Sequence, residues 1–63
     1  MRKRLVLVVD GEPPIVRLLR ATLESDGYAV LTADRGATAF DLLNAERPDI
    51  VLLDVMMPEM SGF

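Results

Sequence analysis

Two uninterrupted aliphatic runs, each closed by a single carboxylate, restrict this chain to very few architectures. Leu5-Val-Leu-Val-Val9 ends on Asp10, and Ile50-Val-Leu-Leu53 ends on Asp54. Neither run alternates apolar with polar residues, so both predict strands covered on both faces, the habit of parallel sheets in α/β proteins. The two carboxylates then stand at strand carboxyl ends, where open α/β sheets gather ligands and chemistry. An Asp in that position can instead serve the backbone of the next turn, and Pro58, Ser61 and Gly62 predict a turn after Asp54.

The segments between the runs read as helix, strand, helix. Gly11, Glu12, Pro13 and Pro14 break the chain, and a proline suits the first helical position. Ile15, Leu18, Leu19, Thr22 and Leu23 then recur at helical spacing, with Arg17, Arg20 and Glu24 opposite them, which predicts a helix over about 14–25. Asp26-Gly27 stops it. Residues 28–33 are rich in β-formers but milder in hydrophobicity, the pattern of a strand nearer an edge. Asp34-Arg35-Gly36 leads into a second helix over 37–46, with Ala39, Phe40, Leu42 and Leu43 inward and Asp41 and Asn44 outward, and Arg47-Pro48 ends it. Strands alternating with such helices predict parallel pairing through right-handed crossovers.

Composition narrows the chemistry. The 63 residues are 51% hydrophobic and 27% charged, the balance of a soluble globular domain. A chain this short buries only about 60% of its unfolded surface, so its stability on its own is marginal. With no Cys and no His, any metal site must be built from oxygen, which favours Mg²⁺ over zinc. The net charge of −3, with acids dispersed, argues against nucleic-acid binding by this chain. The basic start Arg2-Lys3-Arg4 precedes an apolar run too short for a signal peptide, and no stretch is long enough to span a bilayer, so the reading is cytoplasmic. If the two strands are neighbours, Asp10 and Asp54 converge, and like charges there call for a cation between them. An Asp held beside such a cation is a plausible phosphoryl acceptor.

Val8-Val9-Asp10-Gly11-Glu12-Pro13, and above all Pro48-Asp49-Ile50-Val51-Leu52-Leu53-Asp54-Val55-Met56-Met57-Pro58-Glu59-Met60-Ser61-Gly62, resemble the receiver domain of two-component response regulators. The likeness covers the whole chain and implies a flavodoxin-like half domain, β-α-β-α-β with parallel strand order 2-1-3, residues 1–63 being the N-terminal half of the receiver. It implies that Asp54 accepts a phosphoryl group from a sensor histidine kinase. It also implies that Asp10, Asp54 and the backbone carbonyl of Met56 hold Mg²⁺, while Pro58 and Gly62 shape the neighbouring loop. The side chains of Met56 and Met57 read as ordinary apolar packing. Where the family places a second acid that touches the metal, this chain has Gly11, so weakened Mg²⁺ binding is expected; the resemblance also implies a receiver about twice this length, with a hydroxyl residue and a Lys in the other half that assist phosphorylation, so little phosphorylation of this half domain is expected.

Two other function classes bear on the same residues. An aspartate-nucleophile phosphatase needs a second Asp two residues after the first, and Asp54-Val55-Met56 lacks it, so an enzyme is not expected. An assembly unit is the stronger rival. In the order 2-1-3 the third strand is an edge, yet it is apolar throughout and has no Lys, Pro or bulge residue to protect it. A homodimer with third strands side by side follows as an expectation, parallel and antiparallel pairing both remaining open.

Overall fold

A computed structural model describes residues 3–53 of the chain. In order these form β1 (Leu5–Val9), α1 (Pro13–Ser25), β2 (Ala29–Ala33), α2 (Gly36–Glu46) and β3 (Ile50–Leu53). The strands make one parallel sheet in the order β2-β1-β3, the half of a flavodoxin-like fold expected from the sequence. Leu7 pairs with Leu31 on one side and Val51 on the other, and Val9 with Ala33 and Leu53.

The β1 run is apolar without alternation because both of its faces are covered. Val6, Leu7, Val8 and Val9 retain at most 1% of their exposure. Burial of that kind stabilises by about 1.5–3 kcal/mol per side chain, which makes β1 the centre of the core. The crossover from β1 to β2 moves one way across the sheet and the crossover from β2 to β3 moves back. Right-handed connections therefore put α1 and α2 on opposite faces. Leu7, Val9, Ala33 and Ala39 cluster on the α2 side, flanked by Leu31, Leu42, Leu43 and Leu53. On the α1 side, Leu19 shares a cavity with Val8 and Leu52.

Helix ends follow local chemistry. Pro13 and Pro14 open α1 with no side-chain cap, and Gly27, at φ +93°, closes it. Tyr28 N–H donates to Leu23 C=O at 3.0 Å and Gly27 N–H to Glu24 C=O at 3.1 Å, the paired bonds of a Schellman terminus. That use of Tyr28 explains why β2 begins at Ala29 rather than at 28. Helix α1 begins one residue earlier than the spacing predicts, and so does α2. The C-cap of α2 is Arg47 in the left-handed region at φ 48°, just before Pro48.

Three expectations about side chains are corrected. Ile15 and Leu18 do not face the sheet: they are 40% and 63% exposed, and Thr22, also exposed, turns its hydroxyl to Leu18 C=O. The half-buried residues of α1 are Val16, Leu19 and Leu23, an arc rotated from the predicted one. Phe40 is 55% exposed, because the α2 arc that meets the sheet is centred on Ala39, Leu42 and Leu43. Strand β3, expected to be covered on both faces, leaves Ile50, Val51 and Leu52 exposed, since within the described residues only β1 borders it.

Candidate functional site

The register that pairs Val9 with Leu53 brings the carboxyl ends of β1 and β3 level. Asp10 follows Val9 directly and is the one buried charged residue among those described, at 8% exposure. Two backbone bonds fix it. Its N–H donates to Ala33 C=O at 3.0 Å, extending the β1–β2 ladder by one step, and its Oδ1 accepts the N–H of Glu12 at 2.9 Å. The second bond is an Asx-type turn, so Asp10 serves the backbone as well as any ligand. A buried carboxylate is costly unless it is hydrogen-bonded, and one backbone donor satisfies only part of its acceptor capacity. The remainder faces two clefts that Asp10 lines, of about 370 and 220 Å³.

The acids nearest Asp10 in sequence and in its larger cleft are exposed. Glu12 is the exposed N-cap of α1, in extended conformation, and its side chain makes no capping bond. Asp34 is exposed and lies 3.8 Å from the guanidinium of Arg35. Among the described residues no three acidic side chains gather closely enough to hold a cation. Gly11 explains part of this. A Cβ built there meets only the carbonyl oxygen of Asp34, at 3.9 Å, and the backbone is outside the left-handed region. A side chain would fit at position 11.

The sequence reading placed Asp10 correctly at the carboxyl end of the central strand. Asp54, Met56, Pro58 and Gly62 lie outside the described residues. One organising residue was missed at the opposite end of the sheet. Asp49 Oδ2 accepts the N–H of Leu5 at 2.8 Å, and Asp49 N–H donates to Leu5 C=O at 2.8 Å, so β3 is clamped to β1 just before it begins. The signal was an Asp between Pro48 and an aliphatic run, a position where side-chain acceptors commonly meet free backbone donors.

The chain matches the family model described as response regulator receiver domain over residues 6–63. It is 47% identical over 57 residues to the alkaline phosphatase synthesis transcriptional regulatory protein PhoP of Bacillus subtilis, covering 90% of this chain and 24% of that protein. It is 50% identical over 58 residues to the transcriptional regulatory protein KdpE of Mycobacterium tuberculosis, covering 92% of this chain and 26% of that protein. It is also 44% identical over 61 residues to the probable transcriptional regulator ycf27 of Guillardia theta, covering 97% and 24%. The chain spans about a quarter of the length of the curated relatives it matches.

Proposed function

The chain belongs to the response regulator receiver domain family, and on that premise we propose that it is a phosphoacceptor module of two-component signalling in which Asp54 takes a phosphoryl group from a sensor histidine kinase. The observation that carries the reading is the level ending of β1 and β3, with buried Asp10 one residue past Val9 and Asp54 one residue past Leu53. In the transfer, a carboxylate oxygen of Asp54 bonds to phosphorus while the phosphorus–nitrogen bond of the donor breaks, and the leaving nitrogen takes up a proton. Asp10, Asp54 and the Met56 carbonyl would hold Mg²⁺. Bound there, Mg²⁺ neutralises charge on the transferring group. The Glu12 N–H holds one carboxylate oxygen of Asp10 in place. Gly11 withholds a further oxygen, which sets affinity low.

No helix among the described residues is long and apolar enough to cross a membrane, and we assign the module to the cytoplasm, where its kinase partner presents phosphate. DNA contact is not assigned to this acidic segment. A second partner is another copy of the chain, meeting it at β3, and the exposure of Ile50, Val51 and Leu52 favours this assembly role.

Incubation with acetyl phosphate and Mg²⁺, read by intact mass, tests the phosphoacceptor. A small adduct that disappears in Asp54→Asn is expected. An adduct that survives Asp54→Asn overturns the assignment, as does no adduct even in Gly11→Asp.

A further inference from the structure

Nothing within β3 itself fixes how far along β1 it sits. A strand that alternates apolar and polar residues is held in register by its pattern, because sliding by one residue turns every side chain to the other face. Ile50-Val-Leu-Leu53 has no such pattern, and neither has Val6-Leu-Val-Val9 beside it. Sliding β3 until Val51 or Leu52 stands opposite Val6 still sets aliphatic side chains beside aliphatic ones over most of the strand. The register of the sheet is nonetheless single, with Val6 opposite Ile50 and Val9 opposite Leu53.

The residue that marks this register lies just outside the run. Asp49 grips Leu5 at two points: its Oδ2 accepts the Leu5 N–H at 2.8 Å, and its own N–H donates to Leu5 C=O at 2.8 Å. The two bonds coexist only where Asp49 lies beside Leu5, the register in which Val6 meets Ile50. The side-chain bond is exposed and modest in strength, yet a preference of about tenfold is within reach of one hydrogen bond to a charged group. Sliding the other way is closed by different means. It sets Asp49 or Pro48 opposite Val6, which is 1% exposed, where a charge is costly and a proline has no N–H for the ladder.

We propose that Asp49 sets the register of β3 on β1 and is thereby a positioning residue for the site at the opposite end of the sheet. Asp10 follows Val9 directly, and Asp54 follows Leu53. Each residue of slip moves β3 by about 3.3 Å along β1. Mg²⁺ holds its oxygens at about 2.0–2.1 Å, so two ligands of one ion lie within about 4.2 Å of each other. One step of slip turns Asp54 to the other face of the sheet, and two steps carry it about 6.6 Å along the strand. Neither leaves both carboxylates on one ion. The consequence for the metal rests on the phosphoacceptor reading, whereas the register does not.

Cross-strand NMR contacts between β1 and β3 read the register, and Mg²⁺ titration of the same samples reads the site. Asp49→Ala removes the carboxylate and keeps the backbone bond. In most molecules of this variant Val6 is expected to lose contact with Ile50 and gain contact with Val51 or Leu52, while helical circular dichroism persists. Mg²⁺ affinity is expected to fall about tenfold with it, since apparent affinity scales with the fraction of molecules in the competent arrangement. Asp49→Asn keeps an oxygen for the Leu5 N–H and should restore both readouts. A merely destabilising change would leave the contacts of the folded molecules where they are. Leu5→Pro deletes the donor instead, at the first residue of a strand where proline is tolerated, and should reproduce the slip with Asp49 intact. It decides the question if Asp49→Ala does not fold. Native contacts in folded Asp49→Ala or Leu5→Pro overturn the register role. An Asn variant that slips as the Ala variant does overturns the hydrogen bond as the cause. Slip with Mg²⁺ binding unchanged, or absent throughout, upholds the register role and overturns the convergence of Asp10 and Asp54 on one ion.

Discussion

Replacing Gly11 by Asp tests the proposed site at the position where the resemblance implies a second acid. The steric cost is negligible, because the nearest atom to a built Cβ is 3.9 Å away and φ is not positive. Loss of glycine freedom in the unfolded chain stabilises by about 0.4–1 kcal/mol. Against this stands repulsion from Asp10, whose carboxylate is 8% exposed. Two unit charges about 6 Å apart at an effective dielectric of roughly 20 repel by about 2.8 kcal/mol. Without metal the repulsion outweighs that gain, and the variant should melt below the parent. With Mg²⁺ the sign changes, since a third carboxylate supplies another hard oxygen and the cation offsets the repulsion. Tenfold tighter binding, worth about 1.4 kcal/mol, is the expected scale. Isothermal calorimetry with Mg²⁺, paired with thermal melts at saturating metal, measures both quantities. Unchanged Mg²⁺ affinity in a folded variant would refute the arrangement of Asp10 and Asp54 around one cation.

Leu7 is fully buried at the centre of the α2-side cluster, so Leu7→Ala should cost about 2–5 kcal/mol, enough to abolish cooperative urea unfolding in a chain this small; an unaltered transition would contradict its place in the core. Gly27→Ala and Arg47→Gly should act in opposite directions, each by about 1 kcal/mol, because both positions are left-handed, at φ +93° and 48°; equal signs in denaturant titrations would remove backbone strain as the cause. Leu18→Ser should change stability by less than about 0.5 kcal/mol because the side chain is 63% exposed, and a large loss would restore the sheet-facing role first read for it.

Much of the fold was legible because certain local patterns have one physical solution. An aliphatic run without alternation must be buried on both sides or form an edge that invites partners, and both runs proved to be parallel strands with the predicted bounds. Gly27 could be read as a helix stop because few other residues accept its φ, and Pro48 because it cannot continue a helix. The place of Asp10, directly after the last residue of a strand, was legible in the same way.

Tertiary structure decided the rest, and the reason is the same at each position. Helix α1 offers apolar side chains over an arc from Ile15 and Val16 through Leu18, Leu19 and Leu23, wider than one sheet face can cover. Which part is buried depends on where β1 and β2 lie beneath the helix, and they select Val16, Leu19 and Leu23 while leaving Leu18 outside. Phe40 is set outward in the same way by the neighbours that claim Ala39, Leu42 and Leu43. The Asp49 clamp joins residues 44 positions apart, a pairing that exists only once the register of β3 on β1 has been chosen. Hydrophobicity is a property that each residue carries in the sequence, whereas burial is a relation between surfaces brought together by the fold.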